Sequence, residues 1–324
     1  MRTPRIKAAP DETGVYHCTS RIVGSQFLLD DACRSHLAQL VLRLAQFCGV
    51  QPITLNILDN HFHILIRIRP PQPICGQELL QRLESFYGKE HFLCLLIRSY
   101  VEQDREVPDF IMEPLLKRFS DVSNFMKELK QRFSRWYNLR HQRKGTLWAE
   151  RFTCSLIEDS SELLKVTAGY IDLNAVRAGI VRDPKDYRDC GYSAALAGNE
   201  VYREGIRSVI GKYPDWEHVA AEYRMLIFTQ AGRSGASNKV ALDREQIANV
   251  MKNGGELTLG EVLQVRIRHL SAGVVLGSRE YVEKVYTRYR ANFGPNRRCG
   301  ARPIRKVPIP GFYALRDLQK NIIG

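Results

Sequence analysis

The sequence predicts an α+β fold: a ferredoxin-like antiparallel sheet with helices on one face, followed by a mainly helical C-terminal region. Three observations point there. Residues 15–22 (VYHCTSRI), 52–58 and 61–69 have strand character, and residues 30–47 between the first two carry apolar residues at helical spacing. Asp59-Asn60 is a turn-type dipeptide that suits a short antiparallel hairpin. Strand, helix, strand, strand is the opening of such a sheet.

The first helix is read from Ala32, Leu37, Leu40, Val41, Leu44 and Phe47 on one stripe, with Gly49 closing it. Residues 70–120 begin PPQP and continue with mixed helical signals, which predicts an inserted helical layer. Residues 123–139 (SNFMKELKQRFSRWYNL) form a basic amphipathic helix: Phe125, Leu129, Phe133 and Trp136 make the stripe, with Lys127, Lys130, Arg132 and Arg135 around it. A last strand is expected over residues 146–157, entered through the basic loop 141–145. Ser160 or Ser161 then caps a helix running to about Ala178, stopped by Gly179.

AGRSGASNK reads as a linker, which divides the chain into residues 1–234 and a basic unit over 235–324. In that unit residues 258–270, with Thr258 and Glu261 as a capping box, and residues 278–290 are helical. A helix-turn-helix reading duplex DNA and a small packing unit with a basic extension both fit this pattern.

The chain has 324 residues, with 48 Lys+Arg against 35 Asp+Glu and a net charge of +13, which favours a polyanionic partner. Hydrophobic residues make up 44%, enough for a packed core. No apolar run approaches the roughly 18–20 residues of a spanning helix, and the N-terminus lacks a signal-peptide core, so a soluble cytoplasmic protein without membrane contact is expected. The eight cysteines are scattered without a C-x-x-C pair and read as small buried hydrophobes in a reducing compartment.

Two constellations carry chemistry. In HFHILIRIR (residues 61–69) the side chains alternate, with Phe62, Ile64, Ile66 and Ile68 on one face and His61, His63, Leu65, Arg67 and Arg69 on the other. Two imidazoles on one strand face stand roughly 6–7 Å apart at Cβ and can converge on one ion. An ordinary polar face is the plainer alternative. In the second, Tyr170 and Asn174 share a helix face at i and i+4, where a phenol and a carboxamide can reach one ion or phosphate. A tyrosine simply packed against its neighbours fits the same spacing.

These residues sit inside five segments in a fixed order: YHCTSR (16–21), NHFHILI (60–66), LKQRFSRWYN (129–138), GTLWAERF (145–152) and YIDLNAVRAGIV (170–181). Across residues 15–195 the sequence resembles the single-tyrosine HUH transposases, most closely the REP-associated tyrosine transposases of bacteria. The resemblance implies the HUH nuclease fold, His61 and His63 as ligands of a divalent cation, Tyr170 as nucleophile, and Asn174 completing the metal shell. It further implies cleavage and rejoining of single-stranded DNA through a 5′-phosphotyrosine, with Mg²⁺ or Mn²⁺ and no nucleotide cofactor. Hairpin or repeated palindromic DNA is the implied substrate, and a homodimer the implied assembly. Asp59, Ala175 and the run Arg188-Asp189-Cys190-Gly191 depart from the family pattern without touching those groups.

DNA contacts are expected from Arg132, Arg135, Arg143, Lys144, Arg151 and Arg177, and Trp136, Tyr137 and Trp148 can either stack bases or pack the core. Two other classes remain open: a non-catalytic nucleic-acid-binding protein on the same fold, and an HUH replication initiator or relaxase. A two-histidine phosphoesterase would need two H-x-[ST] motifs, and one histidine pair is present.

Overall fold

The computed structural model describes residues 5–211, 215–232, 274–304 and 311–316. The first strand β1 (Gly14–Arg21) leads into α1 (Asp31–Cys48), then β2 (Val50–Ile57) and β3 (His61–Ile68). Asp30 caps α1 by accepting from the Cys33 amide, and Gly49 ends it in the left-handed conformation at φ 66°. The β2–β3 connection is the tight hairpin expected of Asp59-Asn60, closed by Leu58 N–H donating to the His61 carbonyl. Residues 70–120 hold three helices, α2 (Gly76–Tyr87), α3 (Phe92–Val101) and α4 (Asp109–Leu116), before the amphipathic α5 (Val122–Arg140).

Next come β4 (Thr153–Ile157), α6 (Ser161–Asp172) and the short α7 (Asn174–Arg177). The single helix expected through Ala178 is therefore broken at Leu173, and Arg177 donates through Nη2 to the Tyr170 carbonyl across the break, at 2.6 Å. Likewise the strand expected from 146 is paired only from Thr153. Residues 147–149 instead hook onto Arg21 and Val23, and Trp148 turns inward, donating from Nε1 to the Lys130 carbonyl on α5.

The sheet is mixed and seven-stranded, in the order β2-β3-β1-β4-β5-β7-β6, with β5 (Val275–Gly277), β6 (Arg302–Pro303) and β7 (Tyr313–Leu315) from the C-terminal region. Each of its first four strands is antiparallel to its neighbours among them, and β5 runs parallel to β4. β5, β6 and β7 thus extend the sheet from a region expected to be mainly helical. The physical reason is the free backbone edge of β4, which the apolar Val275-Leu276 run pairs and buries. One helix of that region is described, α11 (Arg279–Arg288), capped by Ser278, while the helix expected at 258–270 lies outside the described residues.

Helices cover both sheet faces, not one. The face of Phe62 meets Trp148 and through it Phe133 of α5, with α1 packed beside α5. The opposite face, carrying Thr54, Asn56 and His63, meets α6, with α8 (Gly191–Leu196) and α9 (Glu200–Ile210) against β2. Every β3 residue after His61 is accordingly buried, polar ones included. Gly205 lets α9 come this close, since a Cβ there would lie 2.3 Å from the Ile53 carbonyl oxygen. Gly205→Ala is expected to lower stability by about 1–3 kcal/mol in a denaturant titration; an unchanged midpoint would show that α9 does not press on β2.

Candidate active site

Pairing sets the site. His63 faces Thr19 of β1 and Asn56 of β2, and His61 faces Arg21, so the middle of the sheet presents both histidines to α6. His61 Nδ1 lies 2.6 Å from the Asn60 side-chain oxygen, an arrangement that places the proton on Nδ1 and leaves Nε2 with its lone pair. His63 Nδ1 lies 2.9 Å from Nε2 of His17, a buried histidine two residues before Thr19, and the two rings are near-parallel with centroids 5.1 Å apart. Burial, helped by Arg21, pushes His61 down to about 4. Burial first, then His17, His61 and nearby arginines, holds His63 well below the usual imidazole range. Both rings are therefore neutral near pH 7, the state in which a histidine can bind a cation.

Tyr170, half-buried on α6, stands edge-on to His63 and His17 with ring centroids 6.1 and 6.2 Å away. The Arg177 guanidinium lies 3.8 Å from the centre of the Tyr170 ring and is pushed down to about 10 by loss of water. Arg177 also donates to Asn174 Oδ1 at 2.5 Å, while Asn174 Nδ2 is buried without a hydrogen-bond partner. In this arrangement the Asn174 oxygen is taken by Arg177, so a metal-ligand role for Asn174 requires that hydrogen bond to give way.

Tyr170, His61, His63 and Asn174 line one cavity of about 460 Å³, together with Thr19, Arg21, Glu150, Arg151 and Thr153. Four of its features were not singled out from sequence: His17 behind His63, the Thr19–Thr153 hydroxyl pair, Arg21, and the Glu150 carboxylate. The alternation that marks β3 applies equally to His17 and Thr19 on β1 and was the available signal. Glu150 had none, because the irregular segment 146–152 carries it.

What holds α6 in place is Asp172, fully buried two residues after Tyr170. Its carboxylate accepts from Thr54 Oγ1 of β2 at 2.6 Å and from Tyr223 of α10 (Trp216–Gly232) at 2.5 Å, and its carbonyl accepts from Asn56 Nδ2 at 3.3 Å.

The expected DNA-contact residues divide. Arg151 lines both the cavity and a groove of about 820 Å³ between α5 and residues 145–152, whose walls also carry Arg5, Lys127 and Lys130. Arg135 and Lys144 are exposed and Arg143 half-buried, outside both cavities. Arg132 is bound to Glu128 and to the Tyr87 hydroxyl, and Arg177 is buried against the Tyr170 ring. The aromatics pack: Tyr137 and Trp148 are buried, and Trp136 stacks on His36 at 3.9 Å.

Among solved structures, this fold is similar to that of a REP-associated tyrosine transposase bound to a REP hairpin. The TM-score is 0.39 and the identity 14%, over 61% of this chain and 85% of that one. No protein-family model matches the chain, and no curated protein matches it.

Asp172 makes the anchoring pH-dependent. Burial raises its carboxyl from 3.8 to about 7. The folded state thus binds the extra proton, and that stabilisation is full below the unfolded value and lost as pH rises through about 7. Asp172→Asn should therefore gain relative to wild type between pH 5 and 8, read as roughly a change in the difference of unfolding midpoints across that window. A constant difference across it would mean that Asp172 is ionised throughout.

Proposed function

We propose that the chain cleaves and rejoins single-stranded DNA through Tyr170, in the manner of the tyrosine transposases its motifs resemble. The observation that carries the reading is one cavity in which a phenol, its ring backed by the buried Arg177, meets two neutral imidazoles. Strand order β2-β3-β1-β4 supports the ferredoxin-like arrangement expected of an HUH nuclease. The basic groove beside α5 opens onto the same cavity through Ala149, Glu150 and Arg151, and suits the backbone of a single strand.

In this reaction the Tyr170 oxygen attacks a backbone phosphorus in line, forming the tyrosyl–phosphate bond as the bond to the 3′ oxygen breaks. The 3′ oxygen leaves as a hydroxyl after taking a proton, and the 5′ side stays on the protein. Rejoining reverses this when a 3′-OH attacks the linkage and Tyr170 leaves. Arg177 holds the phenol in place through its ring face and backbone carbonyl, and Arg21 and Arg151 face the charge that grows on the phosphate.

The residues present fit a divalent ion in part. His61 Nε2, freed by the Asn60 contact, and His63 would supply two neutral nitrogen donors to Mg²⁺ or Mn²⁺, the imidazoles favouring Mn²⁺, and the ion when bound would supply Lewis-acid polarisation of the scissile phosphate. Hairpin or palindromic DNA is the substrate this reading carries, and no nucleotide is consumed.

Incubation with labelled single-stranded hairpin DNA and Mn²⁺ should give a DNA adduct that survives denaturation, and Tyr170→Phe should abolish it while leaving DNA affinity within about threefold. Equal adduct from that variant would remove Tyr170 from the chemistry. No adduct across many hairpins, despite tight binding, would make this a binding protein. His61→Ala should flatten the dependence of cleavage on metal concentration, and an unchanged titration would exclude His61 as a ligand.

A further inference from the structure

We propose that Asp30, Cys33 and His141 form a second cation site, one that takes a zinc-class ion and lies apart from the tyrosine cavity. Among the described residues this is the group of His, Cys, Asp or Glu side chains whose donor atoms converge, all within 4.8 Å of one another. Cys33 Sγ and His141 Nε2 are 3.7 Å apart. A tetrahedral ion with bonds of roughly 2.0–2.3 Å holds its donor atoms about 3.3–3.8 Å apart, so small side-chain adjustments suffice.

The donors are placed by the fold. Asp30 caps α1, accepting from the Cys33 amide at 2.7 Å, and its carboxylate is also hydrogen-bonded by the Cys33 thiol, so the two donors already face each other. His141 directly follows α5, and its ring is held against Tyr137 with centroids 4.2 Å apart. Cys33 is buried at the base while Asp30 and His141 stand exposed at the rim, which gives an entering ion a path. Thiolate, imidazole and carboxylate together select Zn²⁺ over Mg²⁺, whereas the tyrosine cavity has no sulfur donor. On binding, the Cys33 S–H bond breaks, an S–Zn bond forms and the proton passes to solvent, with water as fourth ligand.

The ion would tie the start of α1 to the loop 141–145 that carries Arg143 and Lys144. It would also brace the β2–β3 turn, since Leu29 donates to the Asp59 carbonyl just before His61. Neither the site nor its test depends on strand cleavage.

Metal-free full-length protein titrated with Co²⁺ should develop a near-ultraviolet thiolate-to-cobalt band that Zn²⁺ displaces. The band should persist in a His61→Ala/His63→Ala variant and vanish in Cys33→Ser. His141→Gln, a change at an exposed side chain, should weaken Co²⁺ binding at least about tenfold, since loss of a mere partner of a ligand already costs 10–100-fold. Absence of the band in wild type, its persistence in Cys33→Ser, or unchanged affinity in His141→Gln would each overturn the site. Should Cys33→Ser fail to fold, the His141→Gln titration decides alone.

Discussion

Everything at the tyrosine site depends on the register of β3 between β1 and β2. Side chains alternate along a strand, so a slip of one residue would send His61 and His63 into the Phe62 face and Phe62 into the polar cavity. That slip is blocked from both sides. Phe62, Ile64, Ile66 and Ile68 are buried under α1 and α5, while His63 is pinned by His17 and Arg67 by Asp159, whose carboxylate takes two hydrogen bonds from it. The apolar face thus specifies where the polar one points.

Charge is the second constraint. Burying a guanidinium costs much of its hydration, and Arg177 recovers that through the Tyr170 carbonyl, the Asn174 oxygen and the face of the Tyr170 ring. The outcome is a cation held against a phenol with two imidazoles kept neutral nearby. Asp172 stands on the far side of the same helix turn and ties it to β2 and α10 without entering the cavity. Support and chemistry are thereby divided between neighbouring residues of one short segment.

The C-terminal region shows how an open edge recruits chain. β4 has only five residues and would leave its outer side unpaired; Val275 and Leu276 pair with it, and Glu158 holds the junction by accepting from the Ser278 amide and hydroxyl at 2.6 and 3.0 Å. No helix of the described residues is long and apolar enough to cross a membrane. The charge excess instead gathers partly along the α5 groove, next to the cavity.

Local signals determined a good deal. Apolar stripes placed α1 and α5 to within one or two residues, Gly49 closed α1, the Asp59-Asn60 turn set the hairpin, and the alternation of β3 put both histidines on one face. These features are written in neighbouring residues, where periodicity and capping act. Tertiary structure decided the rest. Only folding could bring His17 behind His63, hand the Asn174 oxygen to Arg177, and set His141 beside Cys33 across 108 positions. It also turned Arg132 toward Tyr87 and added β5, β6 and β7 to the sheet. Such contacts follow from which faces and edges remain to be covered once the local elements exist, and that is a property of the assembled chain and not of any window within it.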